Sequence, residues 1–121
     1  RDVEIPPGAV ITEGACIQAG VSLAPGVTIF GPAAIGHHSR VGECCWLASG
    51  SAIGGGAELG PQCFVGLNAT IANGVTLGRR CFVGAATLVI RDAPDESVFA
   101  RPETERQRVD TTRFMKLTKF R

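Results

Sequence analysis

Two adjacent histidines, His37 and His38, are the residues of this 121-residue sequence best suited to chemistry. An unperturbed imidazole exchanges its proton near pH 6.5, so it can take a proton from an amine or a hydroxyl close to neutral pH. The pair is therefore suited to general-base catalysis. The alternative interpretation is that an outward-facing histidine is only a solvated surface residue.

Composition excludes several other classes of function. A net charge of +1 gives no strong attraction to nucleic acid or to an anionic membrane. No segment approaches the roughly 18 apolar residues that a membrane-spanning helix needs. The five cysteines are an odd number without a Cys-x-x-Cys motif or a His–Cys metal spacing. We therefore expect no metal site, no disulfide framework, and a reduced, cytoplasmic location.

A period of six residues runs through the first 90 residues without a slip. Fifteen aliphatic residues recur at this spacing: Ile5, Ile11, Ile17, Leu23, Ile29, Ile35, Val41, Leu47, Ile53, Leu59, Val65, Ile71, Leu77, Val83 and Val89. A small or short-branched residue stands two positions before each, and alternate residues of a strand share a face. Both positions should point inward, whereas a helix would need apolar spacings of three and four.

The end of each hexad should be a corner that tolerates positive φ. Three positions after the aliphatic residue the sequence often has glycine, with Asn68 at the same phase: Gly8, Gly14, Gly20, Gly26, Gly50, Gly56 and Gly74. Three hexads would close one triangular coil, so residues 18 apart should stack. The pattern predicts an all-β fold, a parallel β-helix of about five coils over residues 1–90.

Stacking at a spacing of 18 predicts two columns of side chains. Cys45, Cys63 and Cys81 should point inward, where a compact apolar residue belongs. Trp46, Phe64 and Phe82 should form an exposed aromatic column, which favours association into a closed threefold ring. Cys16 and Cys44 should face outward, with no histidine placed to activate either thiol, so we expect no covalent thiol mechanism.

The remaining residues, 91–121, are expected to form a C-terminal extension. Residues 97–100 should add one more short strand. The charged tail after it offers a short apolar face, predicted to strap over the aromatic column, from Phe114, Met115, Leu117 and Phe120. Because the sequence begins at Arg1 without a methionine, an N-terminal region could precede it.

Three runs of sequence carry a resemblance to a known family: IGHHSRVG at 35–42, CFVGLNATI at 63–71 and CFVGAATLV at 81–89. They resemble the hexapeptide-repeat acyltransferases, and are most similar to the bacterial N-acetyltransferases that modify amino sugars of nucleotide sugars. The resemblance implies a left-handed β-helix, a homotrimer, acetyl-CoA as co-substrate and an active site between subunits.

The resemblance also assigns roles around the histidines. It implies that His37 is the catalytic base, while His38 stands where those enzymes place a glutamate. Which of the two is the base stays open, with His37 preferred. Asn73 lies two coils along the column of His37 and is expected to contact the substrate.

Acetyl-CoA binding is implied at the coil edges that match Leu67, Ala85 and Trp46. Leu67 and Ala85 are 18 residues apart and should stack, at a different phase of the coil from His37. Trp46 is alternatively a member of the aromatic column. Arg79 and Arg80 could pair with the phosphates of coenzyme A, or be solvated corner residues.

Three functions are compatible with these residues. The first is acetyl transfer from acetyl-CoA to an amino group, or a hydroxyl, of a sugar or nucleotide sugar. The second is a zinc enzyme like the hexapeptide-repeat carbonic anhydrases; adjacent histidines fit it poorly, because ligands must converge on one point and neighbours at a corner should diverge. The third is a catalytically silent scaffold, since a fold does not establish a function.

Overall fold

The computed structural model describes residues 3–119, and the hexads fold into two-residue strands. The strands, in chain order, are β1 Val10–Ile11, β2 Cys16–Ile17, β3 Ser22–Leu23, β4 Thr28–Ile29, β5 Ala34–Ile35, β6 Arg40–Val41, β7 Trp46–Leu47, β8 Ala52–Ile53, β9 Glu58–Leu59, β10 Phe64–Val65, β11 Thr70–Ile71, β12 Thr76–Leu77, β13 Phe82–Val83, β14 Leu88–Val89 and β15 Val98–Phe99. One helix, α1, spans Thr111–Thr118.

Every third strand joins the same parallel sheet, so the chain winds round a three-sided column. Sheet A has the order β1-β4-β7-β10-β13-β15, sheet B the order β2-β5-β8-β11-β14, and sheet C the order β3-β6-β9-β12. Partners within the repeat are 18 residues apart, as in Ile35↔Ile53 of sheet B. The parallel β-helix of about five coils predicted from the sequence is confirmed.

The interior is filled by the aliphatic position of each hexad. From Ile29 to Val89 every such residue is buried. The first hexad differs from the prediction: residues 3–5 form no strand, and Ile5 is 64% exposed. Ile5 lies at the open end of the described column, where no coil stacks beneath it to bury its side chain.

The predicted inward column of thiols is present. Cys45, Cys63 and Cys81 are buried, and each thiol donates to a backbone carbonyl oxygen 3.1–3.3 Å away. Two main effects raise the pKa of the Cys63 thiol: the larger is a side-chain hydrogen bond with Cys45, and the smaller is burial. Burial raises the pKa of the Cys81 thiol. These cysteines are packing groups, whereas Cys16 and Cys44 are exposed, as predicted.

The corners use positive φ more widely than the glycine pattern suggests. The predicted glycines and Asn68 adopt it. Six further corner residues that are not glycine do so as well: His38, Cys44, Gln62, Arg80, Ala86 and Glu96. Their left-handed backbone costs about 1–2 kcal/mol each. Hydrogen bonds between stacked corners offset this cost; for example, the His38 amide donates to the Ala19 carbonyl 3.1 Å away.

The C-terminal extension begins with the predicted short strand. β15 pairs with β13 and adds a sixth strand to sheet A. Helix α1 follows after an extended segment; the Asp110 side chain caps its first turn by accepting from the Arg113 amide. No residue of α1 is buried within the chain, and Phe120 lies outside the described residues. The strap over the aromatic column therefore stays a prediction.

No helix in residues 3–119 could cross a membrane. Helix α1, the one helix among these residues, lacks the length and apolarity that crossing a bilayer requires.

Candidate active site

The two histidines lie at the corner between sheets B and C. Around the histidines, this histidine corner consists of the stacked turns 18–20, 36–38, 54–56 and 72–74, and the chain passes the corner once more at 90–92. Both histidine side chains are exposed. The corner is held by amides that donate across coils: His37 to the Gln18 side-chain oxygen at 2.9 Å, His38 to the Ala19 carbonyl at 3.1 Å, and Gly56 to the His37 carbonyl at 2.9 Å.

The two imidazoles meet through one nitrogen each. Nδ1 of His37 lies 3.3 Å from Nδ1 of His38, and the ring planes cross at 77°. The neighbouring rings therefore approach each other at Nδ1, while their Nε2 edges lie toward different coils. The chain turns through positive φ (60°) at His38, and this turn brings its ring back toward His37. Two neutral imidazoles can bond in this way only if one Nδ1 carries a proton and the other a lone pair.

Glycines above and below make room for the rings. A Cβ atom at Gly55 would lie 2.7 Å from Nε2 of His37, and one at Gly20 would lie 2.5 Å from Cδ2 of His38. Each ring therefore lies over the backbone of an adjacent coil, His38 toward the preceding coil and His37 toward the following one. The absence of a side chain at Gly20 and Gly55 is what permits both positions.

Asn73 is placed on the same column, as predicted. Its Oδ1 atom accepts the Gly55 amide at 2.9 Å, and the ring of His37 covers the same glycine. The structure thus brings His37 and Asn73 to the same glycine, with the Asn73 oxygen already occupied by the backbone. Gln18, in the coil below, likewise uses its side-chain oxygen to accept a backbone amide, that of His37. The sequence analysis did not identify Gln18, although it lies 19 residues before His37 and therefore next to the residue that stacks with the histidine.

Leu67 and Ala85 lie at a different corner, between sheets A and B. They stack as predicted, since the Ala86 amide donates to the Leu67 carbonyl at 2.8 Å. Both are exposed, Leu67 by 55%, and the Ala85 carbonyl accepts from the Thr87 hydroxyl at 3.2 Å. Sheet B separates this edge, hereafter the Leu67–Ala85 edge, from the histidine corner. One chain does not bring the two together.

Trp46 belongs to the aromatic column by backbone register but not by ring stacking. It pairs with Phe64 across sheet A, and Phe64 pairs with Phe82. The Phe64 and Phe82 rings stack, with centroids 5.0 Å apart and planes at 9°. The Trp46 ring instead packs at a tilt against Phe30, at 5.3 Å, and remains 44% exposed. The indole lies on sheet A, away from the histidines.

Arg79 and Arg80 occupy the third corner, between sheets C and A. Nε of Arg80 lies 3.3 Å from a carboxylate oxygen of Glu96, and both side chains are more than half exposed, so this ion pair adds little stability. The Arg79 amide donates to the Asp95 side chain at 2.9 Å. Sheet C separates both arginines from the histidine corner of the same chain.

Within residues 3–119, no group of three or more His, Cys, Asp or Glu side chains could hold a metal ion.

Comparisons with known proteins show the fold. No family model matches the chain, and no curated protein does so. Among solved structures, the acetyltransferase domain of PglB from Neisseria gonorrhoeae FA1090 matches 80% of this chain and 50% of that chain, at 23% identity and a TM-score of 0.72. The same domain in complex with acetyl coenzyme A matches 79% and 49%, at 22% identity and a TM-score of 0.53.

A third solved structure is the H141N mutant of perosamine N-acetyltransferase from Caulobacter crescentus, in complex with CoA and GDP-perosamine. It matches 76% of this chain and 50% of that chain, at 32% identity and a TM-score of 0.49. This chain spans about half the length of these solved chains. The likeness to the PglB domain confirms the fold that the sequence resemblance implies.

Proposed function

We propose that this chain is an acetyl-CoA-dependent acetyltransferase that acts on an amino group, or a hydroxyl, of a sugar or nucleotide sugar. The observation that carries the proposal is the exposed His37 imidazole, which lies over Gly55 and is held at Nδ1 by a second ring. A base needs access to the acceptor and a fixed orientation, and this ring has both. The sugar acceptor rests on the sequence resemblance.

The proposed reaction is a direct attack on the thioester. The acceptor nitrogen or oxygen bonds to the carbonyl carbon of acetyl-CoA while His37 takes its proton. A backbone N–H at a coil edge stabilises the tetrahedral oxyanion. The C–S bond then breaks, and the departing coenzyme A sulfur takes the proton from His37. The products are the acetylated acceptor and the free thiol of coenzyme A, and the base ends neutral.

The proposed active form is a homotrimer with the site between subunits. His37 and the Leu67–Ala85 edge lie at different corners with sheet B between them, so a site containing both needs a second chain. A threefold ring closes such contacts without leaving an open end. Exposed apolar side chains on two faces, including Trp46, Phe82 and Leu88, favour burial against another copy. All five cysteines are free, which supports a reducing, cytoplasmic setting.

The test is acetyl transfer to a panel of nucleotide amino sugars and their hydroxyl analogues. The acetylated product is followed by mass spectrometry, because exposed Cys16 and Cys44 react with thiol reagents. His37→Ala should lower kcat by about 10²–10⁴-fold. Its coenzyme A affinity should stay near that of the wild type, which controls for folding. Unchanged turnover in this variant, or no transfer to any acceptor by the wild type, contradicts the proposal.

A further inference from the structure

We propose that His38 is a positioning residue that fixes the proton on Nδ1 of His37 and so leaves Nε2 of His37 free to act as the base. This inference rests on the proposed function. It starts from the 3.3 Å contact between the two Nδ1 atoms. That contact requires opposite tautomers, because one Nδ1 must donate and the other must accept. If His37 donates, its lone pair is on Nε2, the nitrogen of the ring edge that lies over Gly55.

No other side chain of the histidine corner is free to do this. The turns 18–20, 36–38, 54–56 and 72–74 contain no acidic or basic side chain besides the two histidines. The next turn of this corner, 90–92, carries Arg91 and Asp92, but it is three coils from His37 and the Asp92 carboxylate accepts the Thr76 amide at 2.8 Å. The two amide side chains that could accept, Gln18 and Asn73, have their oxygens on the backbone amides of His37 and Gly55. Within the described residues, the ring of His37 has a hydrogen-bonding contact with His38 alone.

The backbone holds the His38 ring beside His37. Its amide donates to the Ala19 carbonyl at 3.1 Å, and its φ of 60° turns the side chain toward His37. Gly20 leaves space for the ring, since a Cβ there would come within 2.5 Å of it. The orientation of His38 is therefore set by two adjacent coils, and an acceptor so fixed can orient a neighbouring base.

The pair also accommodates the proton that the reaction generates. When Nε2 of His37 takes a proton from the acceptor, His37 becomes an imidazolium whose Nδ1–H still donates to neutral His38. A hydrogen bond from a charged donor is roughly twice as strong as a neutral one. The partner therefore keeps its hydrogen bond to the base before and after proton transfer, without placing a fixed negative charge beside it.

The first measurement is the tautomeric state of each ring in the full-length wild type, read from the ring 15N chemical shifts in long-range 1H–15N spectra near pH 8. We expect the Nδ1–H form for His37 and the Nε2–H form for His38. The Nε2–H form for His37 would overturn the proposal, whatever the state of His38. This readout does not depend on transferase activity, so it separates failure of the pair from failure of the proposed function.

The second measurement compares three variants chosen for their tolerance of positive φ. His38→Gly removes the acceptor and should lower kcat about 10- to 100-fold, with both KM values within about twofold, while His37 loses its fixed tautomer. His38→Asn carries an oxygen on the same side-chain carbon that bears Nδ1, and should restore most of kcat. Cys44→Gly makes the same backbone change at another corner and should leave the His37 signals unchanged.

Two outcomes of this series would overturn the role of His38. One is a wild-type kcat and an unchanged His37 tautomer in His38→Gly. The other is a His38→Asn variant as slow as His38→Gly, since that would tie the effect to the imidazole itself and not to an acceptor at that position.

Discussion

At the scale of single residues, the position of the proposed base depends on a missing side chain. Gly55 has no positive φ, so its backbone suits alanine, yet a Cβ there would come within 2.7 Å of Nε2 of His37. The obstruction is an exposed side chain and not backbone, so it can rotate aside at little cost to the fold. We expect Gly55→Ala to displace the ring and lower kcat about 10- to 100-fold, while the thermal midpoint changes little. Steady-state kinetics with thermal unfolding tests this.

A double-mutant cycle supplies the control for Gly55. In a His37→Ala background the ring is absent, so Gly55→Ala should change neither the residual rate nor the stability. An equal loss of rate in both backgrounds would show that alanine acts on something other than His37.

Two buried serines offer a matched test of polar burial. The Ser39 hydroxyl donates to the Gly54 carbonyl at 2.7 Å, whereas the equally buried Ser51 hydroxyl has no partner among the described residues. An unpaired buried hydroxyl destabilises a fold, while a paired one contributes about 1 kcal/mol. Ser39→Ala should therefore lower the free energy of unfolding by about 1 kcal/mol, and Ser51→Ala should raise it or leave it unchanged. Denaturant titrations at one protein concentration measure both.

At the scale of the structural elements, the corners store strain that a substitution can release. Ala86 has a φ of 56°, and a Cβ is disfavoured in that conformation. Ala86→Gly should therefore raise the free energy of unfolding by about 0.5–1 kcal/mol. Its neighbour Ala85 has no positive φ, so Ala85→Gly should lower it by about 0.5–1 kcal/mol. A loss of stability in both variants would show that the corner conformation costs nothing at Ala86.

The sequence predicted the strands and the corners well because both follow from a local period. Every aliphatic position from Ile11 to Val89 is the second residue of a strand, because the period alone decides which residues face inward. Positive φ at His38 and Ala86 lies at the predicted corner position, three residues after Ile35 and Val83, although neither residue type favours it. There the spacing of the coil forces the turn even though the residue is not glycine, so composition gives no signal.

The arrangement within the site was only partly predictable. The 18-residue spacing placed His37 and Asn73 on one column and the Leu67–Ala85 edge on another. It did not reveal the Nδ1–Nδ1 contact, because that depends on side-chain rotation and on the left-handed backbone at His38. Spacing gives the column on which a residue lies, whereas contacts within a column depend on torsion angles that spacing does not determine.

At the scale of the whole molecule, the separation of the proposed base from the Leu67–Ala85 edge makes the trimer testable through mixed assemblies. His37→Ala removes the base, and Ala85→Trp should block the edge, because Ala85 is exposed there. Each variant alone should retain at most a small residual rate. A control pairing of His37→Ala with the His37→Ala/Ala85→Trp double variant contains no His37 and should stay inactive under every mixing condition.

Co-expression of the two single variants in equal amounts should restore activity if each site uses His37 from one subunit and the edge of the next. In a random threefold ring, about one quarter of the interfaces would pair an intact His37 with an intact edge, so about one quarter of wild-type turnover should return. A site within one chain would give none, because every chain carries a defect. Native mass spectrometry must first show that the co-expressed sample contains mixed trimers. If such a sample is inactive, the base and the edge do not act across a subunit boundary.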